Sequence, residues 1–222
     1  AYGQWILESR TGCLLTRDEP GAYLQRMSFD DAPAAPFILF ETWFREAQTS
    51  GVEMPETVAL ATMGPRGPAV RYVLFKGLDP DGAFTFFTNY GSPKAKQLDY
   101  SPRAALAFYW HEPERQVRVE GNVERCSEEA SDAYFATRPR GSQLGAWASK
   151  QSEERPPGEL ERRLTEAEQR FEGREVERPP HWGGFRIIAD RVEFWQGQES
   201  RLHDRLDYAL AEGSWSKTER YP

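Results

Sequence analysis

The chain has 222 residues and a formal net charge of −7. This acidic balance argues against a nucleic-acid-binding protein, which needs a basic surface, and no apolar stretch of about 18 residues is present to cross a membrane. Cys13 and Cys126 are far apart and, with the three histidines, match no metal-site or disulfide spacing, so we expect no metal and a reducing, cytoplasmic location.

We predict an N-terminal arm at residues 1–32 and a single domain at residues 33–222. The arm is irregular, because Gly, Asp and Pro are scattered among its apolar residues. The domain opens with a helix that begins at Pro36, which suits a first helical turn, and ends at Gly51. An apolar stripe at helical spacing marks its buried face, formed by Phe37, Phe40, Phe44 and Ala47.

Five strands are predicted next, from runs rich in apolar β-branched and aromatic residues. The first two form a hairpin around the Gly-Pro-Arg-Gly turn at 64–67, and Asp-Pro-Asp-Gly at 79–82 is a second turn. Ser92 and Pro93 are typical of the N-cap and first position of a short helix. The strands are expected at 57–63, 69–76, 83–89, 103–110 and 115–123.

The remaining elements are two helices and the C-terminal strands. Ser127 caps a helix that Pro139 ends, and a second, amphipathic helix is predicted within 153–180. Strands return in the segments 183–197, 205–210 and 214–220. About eight strands joined by short turns, with three or four helices, indicate a mainly β chain of the α+β class that forms an antiparallel β-barrel.

No glycine-rich phosphate loop or dinucleotide fingerprint is present, so any phosphate must be held by side chains and a helix end. Lys94 follows the helix start at Ser92, where backbone N–H groups and the helix dipole favour an anion. Arg71 and Lys76 are five residues apart on one strand and so face opposite sides, unless a bulge lies between them. Each pattern alone also fits a solvated side chain.

A candidate phosphate clamp lies near the end of the helix that Ser127 caps. Tyr134 and Arg138 are four residues apart and therefore share a helix face. Ser142 is expected just past the helix end, where a loop can bring its hydroxyl back toward Arg138. A guanidinium with two hydroxyls suits a phosphate. The alternative is a packed tyrosine beside a solvated arginine.

The sharpest cluster is Arg-Leu-His-Asp-Arg at 201–205. If this stretch is an extended strand, Arg201, His203 and Arg205 point to one face. Three such groups repel one another, and an anionic ligand between them would make the arrangement favourable. The alternative is a solvated strand whose charges pair with Asp204 and Glu199.

Further candidates are amide, hydroxyl and indole groups suited to a heteroaromatic ring. Gln116 lies in a strand that otherwise alternates apolar residues, and its amide could pair with the polar edge of a ring. Trp195 offers a ring face or an indole N–H. Gln151 and Ser152 follow Lys150 in a polar segment. As single residues, all four are more often structural than functional.

Together these segments resemble the pyridoxine/pyridoxamine 5′-phosphate oxidase family. The matching strings are RYVLFK, FFTNYGSPK, ERQVRVEG, YFATRPRGSQLGAWASKQS, HWGGFR and FWQGQESRLHDR. The resemblance runs from about residue 36 to the C-terminus, and it implies a split antiparallel β-barrel that forms a homodimer with FMN at the subunit interface. It places FMN against Arg71, Tyr72, Val73, Leu74, Phe75, Lys76, Phe87, Thr88, Lys94, Gln116, Gln151, Ser152, Trp195 and Arg205. It places the substrate against Lys76, Tyr134, Arg138, Ser142, Arg201 and His203.

Two positions depart from the family's pattern. Phe87 stands where the family usually has tyrosine, and Pro93 stands where it usually has a basic residue beside Lys94. Affinity for the FMN phosphate would therefore rest more on Lys94, Arg71 and the helix start.

The implied reaction is FMN-dependent oxidation of pyridoxamine or pyridoxine 5′-phosphate to pyridoxal 5′-phosphate in vitamin B6 biosynthesis and salvage. A hydride leaves C4′ for the flavin, and O₂ is reduced to H₂O₂. Arg201 and His203 are implied as the catalytic residues, which orient the substrate. The sequence does not require a base, and His203 is not assigned as the sole one.

Three other readings stay open. The nearest is a flavin oxidase of the same fold that acts on another substrate, such as a phenazine precursor; the phosphate clamp argues against it. The second is a non-enzymatic flavin-binding or vitamin-carrier protein, which would give Arg201 and His203 no function beside the flavin. A nucleic-acid-binding barrel fits poorly with the net charge of −7.

Overall fold

The computed structural model describes residues 29–222. The predicted arm at 1–32 therefore lies outside the described residues, except for its last four positions, and so does Cys13. The helices are α1 (Pro36–Thr49), α2 (Pro93–Tyr100), α3 (Glu128–Thr137), α4 (Arg140–Ala148) and α5 (Glu159–Arg170). The strands are β1 (Thr57–Gly64), β2 (Gly67–Leu78), β3 (Phe84–Asn89), β4 (Arg103–Trp110), β5 (Arg115–Arg125), β6 (Trp182–Gln196), β7 (Asp204–Ala211) and β8 (Ser214–Arg220).

The eight strands form one antiparallel sheet in the order β3-β2-β1-β4-β5-β6-β7-β8. A further antiparallel pairing between β3 and β6 closes the first six strands into a barrel. β6 is long enough to pair with β3, β5 and β7, so β7 and β8 extend the sheet beyond the barrel. This architecture confirms the predicted mainly β fold with flanking helices.

Helix α1 fills the barrel core with aromatic side chains. Leu39, Phe40, Trp43 and Ala47 are buried on one face of the helix, while Phe37 and Phe44 are partly buried beside them. The Phe40 ring lies 4.8 Å from that of Phe84 in an edge-on arrangement. Fully burying each large apolar side chain contributes roughly 1.5–3 kcal/mol, so this helix is a major source of stability.

Helices α3, α4 and α5 form a smaller apolar cluster outside the barrel. Phe135 from α3, Leu144 from α4 and Ala167 from α5 pack with Trp182 at the start of β6. Helix α4 was not predicted: Ser142 lies in its first turn, and the expectation of a loop there was wrong. Pro139 ends α3 and also occupies the N-cap position of α4, so the same proline both stops one helix and precedes the next.

The segment at 201–205 is not an extended strand, so the prediction that Arg201, His203 and Arg205 alternate along one strand was wrong. Residues Glu199–Arg201 form a short 3₁₀ turn, and β7 begins at Asp204. Ser200 and Arg201 have φ of 57° and 60°. This left-handed backbone cannot continue a strand.

No helix within residues 29–222 is long and apolar enough to span a membrane. In the same residues, no group of three or more His, Cys, Asp or Glu side chains could hold a metal ion.

A buried carboxylate links β6, β7 and β8, where the sheet extends beyond the barrel. Asp207 on β7 is 3% exposed. Arg191 Nε donates to its Oδ1 at 2.8 Å, and Arg220 Nη2 donates to its Oδ2 at 2.8 Å. Burial by itself raises the pKa of Asp207, but the hydrogen bonds and charges of Arg191 and Arg220 outweigh it, so the pKa lies below its ordinary value.

We expect Asp207→Asn to lower the free energy of unfolding at pH 7 by about 2 kcal/mol, because hydrogen bonds to a charged group are lost. The folded pKa of Asp207 lies below the value of about 3.9 that applies to the unfolded chain. Its contribution is therefore fully present above about pH 4 and is lost as the pH falls through the folded pKa. Urea unfolding of both proteins at several pH values measures this.

The matched control is Asp99→Asn, which removes an exposed carboxylate paired with Arg125 at 3.1 Å. We expect this variant to lose less than about 1 kcal/mol. Equal losses in the two variants would contradict the assignment, as would a difference that grows toward acid.

Candidate active site

A buried lysine marks the start of α2. Lys94 is 9% exposed, and its Nζ lies 3.2 Å from Thr88 Oγ1 and 3.4 Å from both Ser92 Oγ and Gln151 Oε1. Ser92 is the N-cap of α2, but its side chain caps no backbone N–H of the helix. Thr88 also donates to Gln151 Oε1 at 3.2 Å, so the segment after α4 is held against β3.

Arg71 lies near enough to this polar group for its positive charge to act on Lys94. Its Nη1 donates to Thr62 Oγ1 at 2.5 Å and to Leu60 O at 3.2 Å, and its Nη2 donates to Gln97 Oε1 at 2.6 Å. Thr62 and Gln97 were not predicted as site residues. The signal for Thr62 was a polar residue on the inward face of β1, whose other inward positions are mostly apolar.

We call Arg71, Thr88, Lys94 and Gln151 the cationic cluster. Within residues 29–222, neither Arg71 nor Lys94 forms an ion pair. Burial and then the positive charge of Arg71 lower the pKa of Lys94, and burial lowers the pKa of Arg71. Two partly buried cations held by neutral groups alone favour the binding of an anion.

A stack of flat side chains lies on the other side of β3. The rings of Phe87 and Tyr134 are 4.0 Å apart with an interplanar angle of 15°, and Trp182 lies 5.4 Å from Phe87. Arg138 Cζ is 4.6 Å from the Trp182 ring. We call Phe87, Tyr134, Arg138 and Trp182 the aromatic stack. Trp182 was not predicted, because a tryptophan at a strand start gives no sign of what it faces.

Arg138 has unused hydrogen-bonding capacity. Its Nη1 is buried without a hydrogen-bond partner, and in the described part of the chain it forms no ion pair. Burial lowers the pKa of Arg138, while burial raises the pKa of Tyr134 against the effect of the Arg138 charge. A buried guanidinium N–H without an acceptor is costly. Arg138 is therefore placed to accept an anionic ligand, with Ser142 nearby on the exposed first turn of α4.

A third group of side chains lies across the neighbouring strands β5, β6 and β7. Gln116 on β5 lies opposite Trp195 on β6, which lies opposite Arg205 on β7. The His203 ring is 4.6 Å from the Trp195 ring. Arg205 Nη2 donates to the carboxylate of Glu193 at 2.8 Å, and Glu193 is only 4% exposed. We call Gln116, Trp195, His203 and Arg205 the tryptophan group; Arg201 precedes it on an exposed turn.

The remaining predicted residues lie on β2 and after α4. Val73 and Phe75 face inward, whereas Tyr72 and Leu74 face outward and are 76% and 38% exposed. The β2–β3 register shifts between Phe75 and Gly77, so a bulge does occur at Lys76, which is exposed. Ser152 is also exposed and has a φ of 69°.

The tryptophan group does not meet the other two groups within one chain. Among the described residues, no hydrogen bond, ion pair or ring contact joins it to the cationic cluster or the aromatic stack. β1, β2 and β4 carry an outward face with exposed apolar side chains, namely Met63, Val70, Tyr72, Leu74 and Tyr109. Large contiguous apolar faces are typical of interaction surfaces.

Two family models match the chain. The model described as pyridoxamine 5′-phosphate oxidase matches residues 44–171. The model described as the pyridoxine 5′-phosphate oxidase C-terminal dimerisation region matches residues 182–222. The second match contains β6, β7 and β8, and with them most of the tryptophan group.

Similar curated proteins carry one name. The pyridoxine/pyridoxamine 5′-phosphate oxidase of Rubrobacter xylanophilus is 56% identical over 195 residues, which cover 87% of this chain and 89% of that protein. The protein of the same name from Microcystis aeruginosa is 51% identical over 202 residues, which cover 90% of this chain and 94% of that protein.

Solved structures share the fold. PhzG from Burkholderia lata 383, in complex with tetrahydrophenazine-1-carboxylic acid, has a TM-score of 0.82 at 29% identity and covers 87% of this chain and 96% of its own. A pyridoxamine 5′-phosphate oxidase-related, FMN-binding protein from Nostoc punctiforme has a TM-score of 0.71 at 20% identity, covering 86% of this chain and 100% of its own.

Replacing Lys94 tests whether the cationic cluster binds an anion. We expect Lys94→Met to leave the ligand-free melting temperature unchanged or to raise it, because a buried charge beside Arg71 is removed. Phosphate at about ten times its Kd should stabilise the unmodified protein by roughly 1.4 kcal/mol and the variant by less than half of that. Thermal unfolding with and without inorganic phosphate measures both effects.

Lys96→Met is the matched control, since Lys96 is exposed on the same helix. It should keep the full response to phosphate. A Lys94 variant that is strongly destabilised without phosphate, yet responds to it normally, would contradict anion binding at this cluster.

Proposed function

Because the chain belongs to the pyridoxine/pyridoxamine 5′-phosphate oxidase family of oxidoreductases, we propose that it uses FMN and O₂ to form pyridoxal 5′-phosphate. Pyridoxine 5′-phosphate and O₂ would give the aldehyde and H₂O₂. Pyridoxamine 5′-phosphate, O₂ and water would give the aldehyde, ammonia and H₂O₂. The reaction would serve vitamin B6 biosynthesis and salvage.

One observation carries the proposal: cations without acidic partners lie on both sides of β3. On one side, Thr88 contacts Lys94 of the cationic cluster. On the other side, the preceding residue, Phe87, belongs to the aromatic stack that includes Arg138. Successive strand residues point to opposite faces, so the two anion-binding positions are separate. This arrangement suits two phosphate-bearing heterocycles held near one another.

The residues present fit FMN. Arg71, Thr88, Lys94 and Gln151 would hold its phosphate, because they combine two unpaired cations with a hydroxyl and an amide. Ser152 would add a hydroxyl beside Gln151, and the β2 residues from Tyr72 to Lys76 would line the cofactor. Gln116, Trp195 and Arg205 would contact its ring. When bound, FMN supplies two-electron redox chemistry that none of these side chains can provide.

The substrate phosphate would be bound by Arg138, Tyr134 and Ser142, with Lys76 at the edge of β2. Fixing the phosphate would orient the pyridine ring, so that C4′ would face the bound cofactor in a defined position. Arg201 and His203 would orient the reacting end of the substrate. Arg201 is exposed on its turn and available for this role.

We further propose that the active protein is a homodimer with FMN between the subunits. Two findings support this: the match to a C-terminal dimerisation region and the exposed apolar face of β1, β2 and β4. The cationic cluster and aromatic stack of one subunit would then meet the tryptophan group of the other. This assembly would complete a site whose parts are separated in a single chain.

The second candidate function is oxidation of a phenazine precursor. The likeness to PhzG, which was solved with a tetrahydrophenazine carboxylic acid, favours it. That ligand carries a carboxylate but no phosphate. The unpartnered Arg138 Nη1 fits either anion, so the choice rests on substrate tests.

The decisive experiment is an absorbance spectrum of the purified, flavin-loaded protein without oxygen. We expect pyridoxamine 5′-phosphate to bleach the yellow flavin band and air to restore it with release of H₂O₂. Unphosphorylated pyridoxamine should bleach it far more slowly at the same concentration. Faster bleaching by a tetrahydrophenazine carboxylic acid would favour the second candidate, and a protein that takes up no flavin would exclude both.

Replacing Arg138 tests the phosphate clamp. We expect Arg138→Ala to raise KM for pyridoxamine 5′-phosphate with little change in kcat. The reason is that Arg138 would bind the substrate phosphate equally strongly in the ground state and in the transition state. The loss of a hydrogen bond to a charged group is worth about 1.5–3 kcal/mol, or roughly 10- to 150-fold in KM. Activity on unphosphorylated pyridoxamine should stay unchanged.

Arg45→Ala is the control, because Arg45 is exposed on α1. It should match the unmodified protein on both substrates. An Arg138 variant with normal KM and a collapsed kcat, or with equal losses on both substrates, would count against the clamp.

A further inference from the structure

The loop between β6 and β7 is fixed at both ends by hydrogen bonds. At one end, the Gly197 N–H donates to Glu114 O at 2.8 Å. A Cβ at position 197 would lie 2.6 Å from Glu114 Oε2, so glycine permits this approach. At the other end, Gln198 Nε2 donates to Asp204 Oδ2 at 2.7 Å. The loop thus holds His203 in a set position.

The backbone of this loop contacts one nitrogen of the His203 ring. The Gln198 N atom lies 3.1 Å from His203 Nδ1. A backbone N–H can only donate a hydrogen bond, so Nδ1 must be the acceptor and carry no proton. A neutral imidazole has a single N–H, and in His203 it must therefore be on Nε2.

The other ring nitrogen is free to meet a ligand. Among residues 29–222, no hydrogen bond uses His203 Nε2. The ring packs on Trp195 with a centroid distance of 4.6 Å and an interplanar angle of 42°. This contact and the Gln198 N–H together fix the direction in which Nε2–H points.

We propose that Gln198 holds His203 as its Nε2–H tautomer, so that His203 donates a hydrogen bond to the substrate and does not act as a base. The inference rests on the proposed function, which puts His203 against the substrate. The acceptor would be an oxygen of the hydroxypyridine, on C3 or on C4′. Nε2 already carries a proton and has no lone pair for another. His203 Nε2 therefore cannot take the proton released when the C4′ alcohol becomes an aldehyde, and in our proposal that proton passes to solvent water. Gln198 is a positioning residue, because it acts through His203.

The tautomer can be measured directly by ¹⁵N NMR of the imidazole nitrogens in the flavin-loaded protein. The chain has only three histidines, so spectra of His111→Gln and His181→Gln assign the His203 signals. With neutral imidazole, we expect Nδ1 to be unprotonated and Nε2 to be protonated. A proton on Nδ1 would overturn the proposal. This measurement is independent of activity, whereas a failure of the proposed function would appear as no flavin uptake or no oxidation of pyridoxamine 5′-phosphate.

Two substitutions of His203 separate a donor from a base. His203→Gln places an amide N–H near the position of Nε2, whereas His203→Asn places it near Nδ1. We expect His203→Gln to keep kcat/KM for pyridoxamine 5′-phosphate at least about tenfold above that of His203→Asn, which is the effect of one hydrogen bond. Equal losses in the two variants, or a more active His203→Asn, would overturn the donor role.

Gln198→Ala provides the control for the backbone contact. It keeps the N–H that faces His203 and removes only the side-chain bond to Asp204. The tautomer seen by NMR should be unchanged in this variant. A change of tautomer would show that the side chain, and not the backbone N–H, determines the proton position, and this would overturn the mechanism.

Discussion

Pairing between β3 and β6 is the constraint on which the candidate site depends. It closes the barrel and sets Phe87 opposite Gly184 and Thr88 opposite Gly183. A Cβ at Gly184 would lie 2.8 Å from Phe87 Cε1, and one at Gly183 would lie 2.2 Å from Tyr90 Oη. Glycine at both positions therefore leaves room for the rings on this edge. Because neighbouring strand residues face opposite sides, this pairing directs Phe87 to the aromatic stack and Thr88 to the cationic cluster.

The charges of the molecule divide into two kinds. At the edge of the sheet, the buried carboxylate of Asp207 is neutralised by two arginine partners. Beside β3 the opposite holds, since Lys94 and Arg138 are partly buried and are contacted by neutral groups only. Burying a charge without a counter-charge costs stability. A bound anionic ligand would supply the missing negative charge beside β3, and this accounts for the cost.

The sequence predicted the barrel well, because its turns are local. Gly-Pro-Arg-Gly at 64–67 and Asp-Pro-Asp-Gly at 79–82 separate strands by residues whose own backbone preferences make the turn. Two elements were not predicted. Helix α4 begins directly after Pro139, where a helix end was correctly expected. The turn at Glu199–Arg201 has left-handed backbone at two non-glycine residues, which no residue type in that stretch announces.

The sequence proposes a set of site residues but does not predict their arrangement. Residue type and spacing leave Lys94, Arg138 and Trp195 as candidates, and the family resemblance assigns them to a site, yet neither reveals that Trp195 lies away from the other two. β3 and β6 are neighbours, but β3 pairs with Trp182–Ile187, whereas Trp195 lies eight residues further along β6, where it pairs with β5 and β7. In the proposed two-chain site, flavin binds both subunits at once and must favour the dimer over separate chains. Flavin affinity and chain association would then be one linked equilibrium, to which both the outward apolar face and the unpaired cations contribute.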